Sequence, residues 1–258
     1  MEEVVHVQYE GNIATVTMNR PEAMNAVNIQ MMEELEEVFR DLKERTDIQI
    51  VLLKGEGRAF SAGGDIKQML SNELTDRMDE VMDIVGNMAT HMYQSPQIMV
   101  SYIQGAAAGI GLSMALASDY IVAERAGKIA MNFIGIGLVP DGGGHFFLKE
   151  RLGTERAKQL IWRGKVMDVE EAYRLGLVDE IIENGDTASF ETFIKKLQQA
   201  PLKSMQETKY ILRSANYEQL EQMLQKEKVG QLKMKDTADY REGIEAFVEK
   251  RAPKFQGK

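Results

Sequence analysis

The chain has 258 residues, 44% of them apolar, with 31 Lys and Arg against 40 Asp and Glu, a formal net charge of −9 and no cysteine. That length supports one large or two small domains with a substantial core; the missing cysteines exclude a disulfide framework and a thiolate nucleophile. The acidic balance argues against a nucleic-acid partner, and with neither a leader-like N-terminus nor an apolar run of about 18 residues a cytoplasmic chain without a membrane partner is expected.

Alternation of Val5, Val7 and Tyr9, then of Ala14, Val16 and Met18 around Glu10-Gly11-Asn12, predicts a hairpin of half-buried strands. Asn28 is placed to cap a helix whose apolar residues Met31, Met32, Leu35, Val38, Phe39 and Leu42 recur at three and four. Ile48 to Leu53 reads as a buried strand ended by Gly55 and Gly57. Helical segments follow around 66–94, strands at 98–103 and 120–123, and helices again from 143. Beyond Ile182 the pattern is helical over 187–199, 202–213, 217–233 and 237–250, punctuated by Pro201 and Asp236-Thr237. Strand and helix alternation makes the class α/β. The division expected is a core over 1–190 and a helical C-terminal region over 191–258. Most of the 17 methionines fall in helix-like stretches and read as core.

Two small-residue turns, Phe60-Ser61-Ala62-Gly63-Gly64-Asp65-Ile66 and Gly105-Ala106-Ala107-Ala108-Gly109-Ile110-Gly111, each follow an apolar strand and open a helix. Such turns leave backbone N–H groups pointing outward, where two of them can hold one oxygen gaining negative charge. The competing reading of each turn is a tight packing corner.

These turns, with Asn19-Arg20-Pro21-Glu22-Ala23-Met24-Asn25-Ala26, Gly137-Leu138-Val139-Pro140-Asp141-Gly142-Gly143-Gly144, Ala172 to Val178 and Tyr240 to Phe247 with Lys250-Arg251, resemble in order and spacing the crotonase superfamily, the enoyl-CoA hydratase/isomerase family. The resemblance implies a spiral of ββα units whose helical C-terminal region builds a trimer or a hexamer of paired trimers. It also implies chemistry on an acyl-CoA thioester through an enolate, the coenzyme A arriving with the substrate and no separate cofactor. By motif position the oxyanion donors are the N–H groups of Ala62 and Ile110. Ala23, Met24 and Ala26 lie beside the CoA, Ala62, Gly63, Gly64, Asp65 and Ile66 with Gly109 under the thioester, and Phe247 with Lys250 reach in from a neighbouring subunit. Lys250 has the alternative of a solvated charged face, and Asp65 that of holding the turn through backbone amides.

Hydration needs a water fixed between two carboxylates. Matching the hydratase motifs puts Ser113 and Phe133 where those enzymes carry glutamates, and neither is an acid. Ser113 positions a water or substrate group, or simply lines its helix; Phe133 supplies apolar wall. Asp141 stands where dienoyl-CoA isomerases and the phenylacetate-pathway ring-epoxide isomerases carry an aspartate. One carboxylate can move a proton between two carbons, which favours an isomerase, with an unusual hydratase or an inactive acyl-CoA-binding homologue as alternatives. Asp141 equally suits the cap of a helix starting near Gly143. The three histidines, His6, His91 and His145, lack ligand spacing, so no metal is expected. Ser113 lacks the flanking glycine of a nucleophile elbow, and Gly142 to Gly144 lacks the lysine of a phosphate loop.

Overall fold

The computed structural model describes residues 3–258, apart from the side chains at 72 and 75. Strands β1 (Val5–Glu10) and β2 (Ile13–Met18) form the expected antiparallel hairpin. Only β1 is half-buried: in β2, Ile13 and Thr17 are buried along with Ala14, Val16 and Met18. The alternation in β2 does not mark a wet face, because helices cover both faces of the sheet it joins. That sheet continues through β3 (Ile50–Gly55), and the chain reaches it by α1 (Ile29–Lys43). Asn28 caps α1 by accepting from Met31 N–H at 2.9 Å, a contact that contributes about 1 kcal/mol, and the buried stripe is Ile29, Met31, Leu35, Phe39 and Leu42.

After β3 come the short α2 (Ile66–Met69) and the long α3 (Asn72–Gln94), then β4 (Ile98–Ile103), β5 (Ala106–Ala108) and α4 (Ile110–Leu116). Strands β6 (Tyr120–Glu124) and β7 (Lys128–Ala130) precede a 3-10 turn over Phe133–Ile136. Helices α5 (Gly144–Leu152) and α6 (Thr154–Arg163) lead to β8 (Met167–Asp168), α7 (Val169–Leu175) and β9 (Glu180–Ile182). The large sheet runs β1-β2-β3-β4-β6-β9, parallel after its first pair, and β5-β7-β8 form a small second sheet. The segment order strand, short strand, helix recurs from β4 to α4 and from β6 to α5, the ββα repetition that sets both small-residue turns at the ends of neighbouring parallel strands.

The tail is α8 (Thr187–Gln198), α9 (Leu202–Lys235) and α10 (Ala238–Val248). The two helices expected over 202–213 and 217–233 are one continuous helix of 34 residues. Ser214 and Asn216, weak helix formers, keep their side chains occupied: Ser214 Oγ donates to Ile211 O and Asn216 Nδ2 to Glu150 on α5 at 3.0 Å. Packing across 214–216 overrides propensity there. Thr237 caps α10 through Tyr240 N–H, as the Asp236-Thr237 break implies. The main core lies between the sheet, α1, α3, α4 and α5 and includes Leu220 and Leu224 of α9 and Ile244 of α10. A second apolar layer joins Ile50, Ile98, Val100 and Val122 on the opposite face to Ile194 and Leu197 of α8 and Leu202 of α9. Among the described residues no helix is long and apolar enough to cross a membrane.

Candidate active site

The two turns predicted from sequence lie side by side. Ser61 N–H donates to Ala106 O at 2.9 Å and Ala108 N–H to Ser61 O at 3.0 Å. Gly63 has φ of 97°, and a Cβ there would stand 3.0 Å from Ala108 O, so conformation and space both require glycine. The Ala23–Ala26 loop closes over the first turn: Val27 N–H donates to Gly63 O, and Ser61 Oγ donates to Asn25 O at 2.8 Å. Asn25 is fully buried and grips both neighbours, its Nδ2 donating to Glu56 O and Ala59 O and its Oδ1 accepting from Arg20 N–H. Asp65 does positional work: it accepts from Lys67 N–H at 3.0 Å, capping α2, and pairs with Arg20 at 3.0 Å.

The two expected oxyanion donors differ. Ile110 opens α4, where first-turn amides have no carbonyl of their own helix to bond. The Ala62 N–H instead donates to Met24 O at 2.9 Å. Met24 and Asn25 hold φ of 51° and 52°, in the left-handed region, so the carbonyl that occupies this donor belongs to a loop in a sparsely populated conformation.

Asp141 sits against the second turn. The adjoining Gly142 packs on Ile110 and Ser113, its Cβ direction ending 3.5 Å from Ile110 Cγ1. The cap alternative fails: the residue before α5 is Gly143, and no side chain of the turn caps the helix. Asp141 Oδ2 accepts from Gln231 Nε2 at 3.0 Å, while Oδ1 is buried with no hydrogen-bond partner. Burial and the nearby Glu227 charge push this carboxyl up to about 8, against the opposing Gln231 hydrogen bond. It lines a cavity of about 50 Å³ walled by Met32, Met69, Met78, Met82, Val81 and Leu138.

Residues of α9 that the sequence gave no reason to single out complete this wall. Glu227, 3% exposed, takes over the helix cap: its Oε2 accepts from Gly143 N–H at 2.8 Å and its Oε1 from His145 N–H at 3.0 Å. His145 Nδ1 lies 2.8 Å from the same Oε1, which accounts for the half-buried position of this histidine. A carboxylate suits the N-terminal end of α5, and both of its oxygens are engaged. Gln231 follows one turn on, donating to Val139 O at 2.6 Å as well as to Asp141. Lys235 follows after another turn and also lines the cavity.

The remaining sequence candidates fall into two groups. Phe133 is buried with its ring beside Gly109 of the second turn, and Ser113 is fully buried beside Gly142 and Gly144 of the Asp141 turn with its Oγ unpartnered. Phe247, 55% exposed, and Lys250 stand beyond the end of the cavity, on and after α10, and do not line it. A wider cleft of about 770 Å³ opens elsewhere, between the first half of α9 and the end of α3, among Lys43, Tyr93, Lys203, Glu207 and Arg213. Asp141 does not line it. Among the described residues no group of three or more His, Asp or Glu is arranged to hold a metal ion.

The sequence as a whole matches the enoyl-CoA hydratase/isomerase model over residues 8–258. The chain belongs to the enoyl-CoA hydratase/isomerase family. It is 44% identical over 252 residues to the Bacillus subtilis protein YhaR, named for the same family, covering 97% of this chain and 98% of the relative. It is 31% identical over 264 residues to the 1,2-epoxyphenylacetyl-CoA isomerase of Escherichia coli K12, with all of both chains covered. The fold matches an enoyl-CoA hydratase from Mycobacterium avium subsp. paratuberculosis with a TM-score of 0.89, at 27% identity and 98% coverage of each chain. As an enoyl-CoA hydratase/isomerase family member the chain has the spiral α/β core and helical tail that its motifs imply.

Proposed function

We propose that the protein is an enoyl-CoA isomerase in which Asp141 carries the proton and the N–H groups of Ile110 and Ala62 hold the thioester oxygen. The observation that carries this reading is the enclosed carboxyl of Asp141, which has Oδ1 unpartnered, lines a largely apolar cavity and belongs to a turn whose Gly142 packs on Ile110. In a 3-enoyl thioester the ionised carboxylate removes a proton from C2. The electron pair moves through the carbonyl and leaves a dienolate whose oxygen is negative; the carboxyl returns the proton at C4, giving the 2-enoyl thioester. Each donor on that oxygen is worth roughly 3 kcal/mol in the transition state. A two-carboxylate hydration is disfavoured because Ser113 and Phe133 replace the acids and Glu227, the other carboxylate nearby, spends both oxygens on Gly143 and His145. The acyl-CoA would reach the turns past Ala23, Met24 and Ala26, with Phe247 and Lys250 supplied by a second subunit of a trimer or hexamer.

Turnover of 3-hexenoyl-CoA and of a 2,5-dienoyl-CoA, with loss of 100-fold or more in Asp141→Asn, is the expected result. Rapid hydration of crotonyl-CoA that survives the substitution would overturn the reading. The bond between Ala62 N–H and Met24 O favours one rival, an acyl-CoA binder without activity, since it ties up a needed donor. Micromolar binding of CoA esters with no turnover of any of them would establish that rival.

A further inference from the structure

On α9, Glu227, Gln231 and Lys235 are spaced by four and so form one row, successive members about 6 Å apart along the axis. The first two are accounted for by the turn they hold. Gln231 is 1% exposed, and since its Nε2 donates to Val139 O and Asp141, its Oε1 is left buried without a partner. Lys235 Nζ is likewise buried without a hydrogen-bond partner. Both residues line the cavity that Asp141 lines, and its other walls are methionine, leucine and valine side chains and the ring of Tyr240. An acceptor and a cationic donor left unsatisfied in one apolar chamber are costly unless a ligand completes them.

Resting on the reading of this cavity as the acyl site, we propose that the acyl group accepted here bears a hydroxyl beyond the reacting carbons, bound by Lys235 and Gln231. A hydroxyl oxygen accepts from the Lys235 ammonium, and its hydrogen goes to Gln231 Oε1, so it satisfies both groups at once. A carboxylate would use the lysine and be repelled by the amide oxygen; an alkyl chain would use neither. Burial also lowers the Lys235 pKa, with Asp236 and Asp76 opposing the shift, in keeping with a cation short of solvent and of close counter-ions. Four methionines, Met32, Met69, Met78 and Met82, line the cavity, and unbranched thioethers move aside readily for a longer acyl group.

Calorimetric titration with saturated esters separates this inference from catalysis, since they bind without reacting. Hexanoyl-CoA, 6-hydroxyhexanoyl-CoA and adipoyl-CoA, with octanoyl-CoA and 8-hydroxyoctanoyl-CoA as a second chain length, are compared on the wild type and on Lys235→Met. The expected result is that a hydroxy ester binds at least tenfold tighter than its alkyl counterpart, and that Lys235→Met erases or inverts the difference while still binding hexanoyl-CoA, which also reports its folding. Equal or tighter binding of the alkyl esters at both lengths overturns the inference, even if 3-enoyl turnover upholds the isomerase. Tightest binding by adipoyl-CoA overturns the role given to Gln231. Failure of every ester to bind overturns the acyl-site reading together with this inference.

Discussion

Asp141 is held in a state that an exposed aspartate would not keep. In the unfolded chain it loses its proton near 3.8, whereas in the fold burial and Glu227 delay ionisation to about 8. Between those values folding takes up a proton, so the aspartate's contribution to stability falls as pH rises, by about 1.4 kcal/mol for each unit. Below 3.8 both states are protonated and the contribution is flat. Asp141→Asn is therefore expected to unfold at a higher temperature than the wild type, by a margin that widens from pH 5 to pH 8; thermal melts across that range check it. The same shift predicts that kcat/KM for isomerisation climbs until pH reaches about 8 and then levels, because only the carboxylate form can accept the C2 proton. A profile already flat from pH 5 would mean that another group is the base.

At the scale of elements, the Asp141 turn depends on a helix distant in sequence. Glu227 of α9 satisfies two amides at the head of α5 and places a negative charge near Asp141. Glu227→Gln retains an acceptor for one amide but removes that charge, so the inflection of the pH–rate profile should move to lower pH. Glu227→Ala strands buried N–H groups and should cost about 3 kcal/mol in urea unfolding. An unchanged inflection in the glutamine variant would remove Glu227 from the tuning of Asp141. This contact was the part of the site that sequence could not disclose. The two turns were legible because runs of small residues after an apolar strand are a local signal, and Asp141 because its glycine-rich motif resembles that of the family. Glu227, Gln231 and Lys235 instead look like the solvated row of an amphipathic helix. Their burial arises because α3 and the Asp141 turn both pack on α9. A hint existed in α9 itself, whose apolar and polar residues do not separate cleanly onto opposite faces over its 34 residues. The small sheet β5-β7-β8 escaped for a different reason: strands of two and three residues are too short to show a period.

For the whole molecule, the long α9 has to be fixed at its N-terminal half if its C-terminal half is to place Gln231 within 3.0 Å of Asp141. That fixing is electrostatic. Asp119, just before β6, accepts from Met99 N–H at 2.8 Å and from two side chains of α9, Lys209 at 2.7 Å and Arg213 at 2.8 Å. Lys209 also donates to Gln97 O, and Arg213 to Tyr93 O, so the ends of α3 and β4 are tied to the same stretch of helix. Burial holds the Lys209 pKa down at about 8 despite its aspartate partner, which marks the cost of keeping a lysine there. Breaking such a network by removing one member leaves the others charged and unpaired, a loss of about 3–5 kcal/mol. Asp119→Ala is accordingly expected to lower the unfolding free energy obtained from urea titration by that amount. If α9 acts as a rigid arm between the two places, the same variant should also lower kcat for 3-hexenoyl-CoA under conditions where it remains folded, although residue 119 lies outside the Asp141 cavity. Full activity in folded Asp119→Ala would mean that the C-terminal half of α9 is positioned locally, by Glu227 and by Leu220 and Leu224 in the core, and that the ion-pair network serves stability alone.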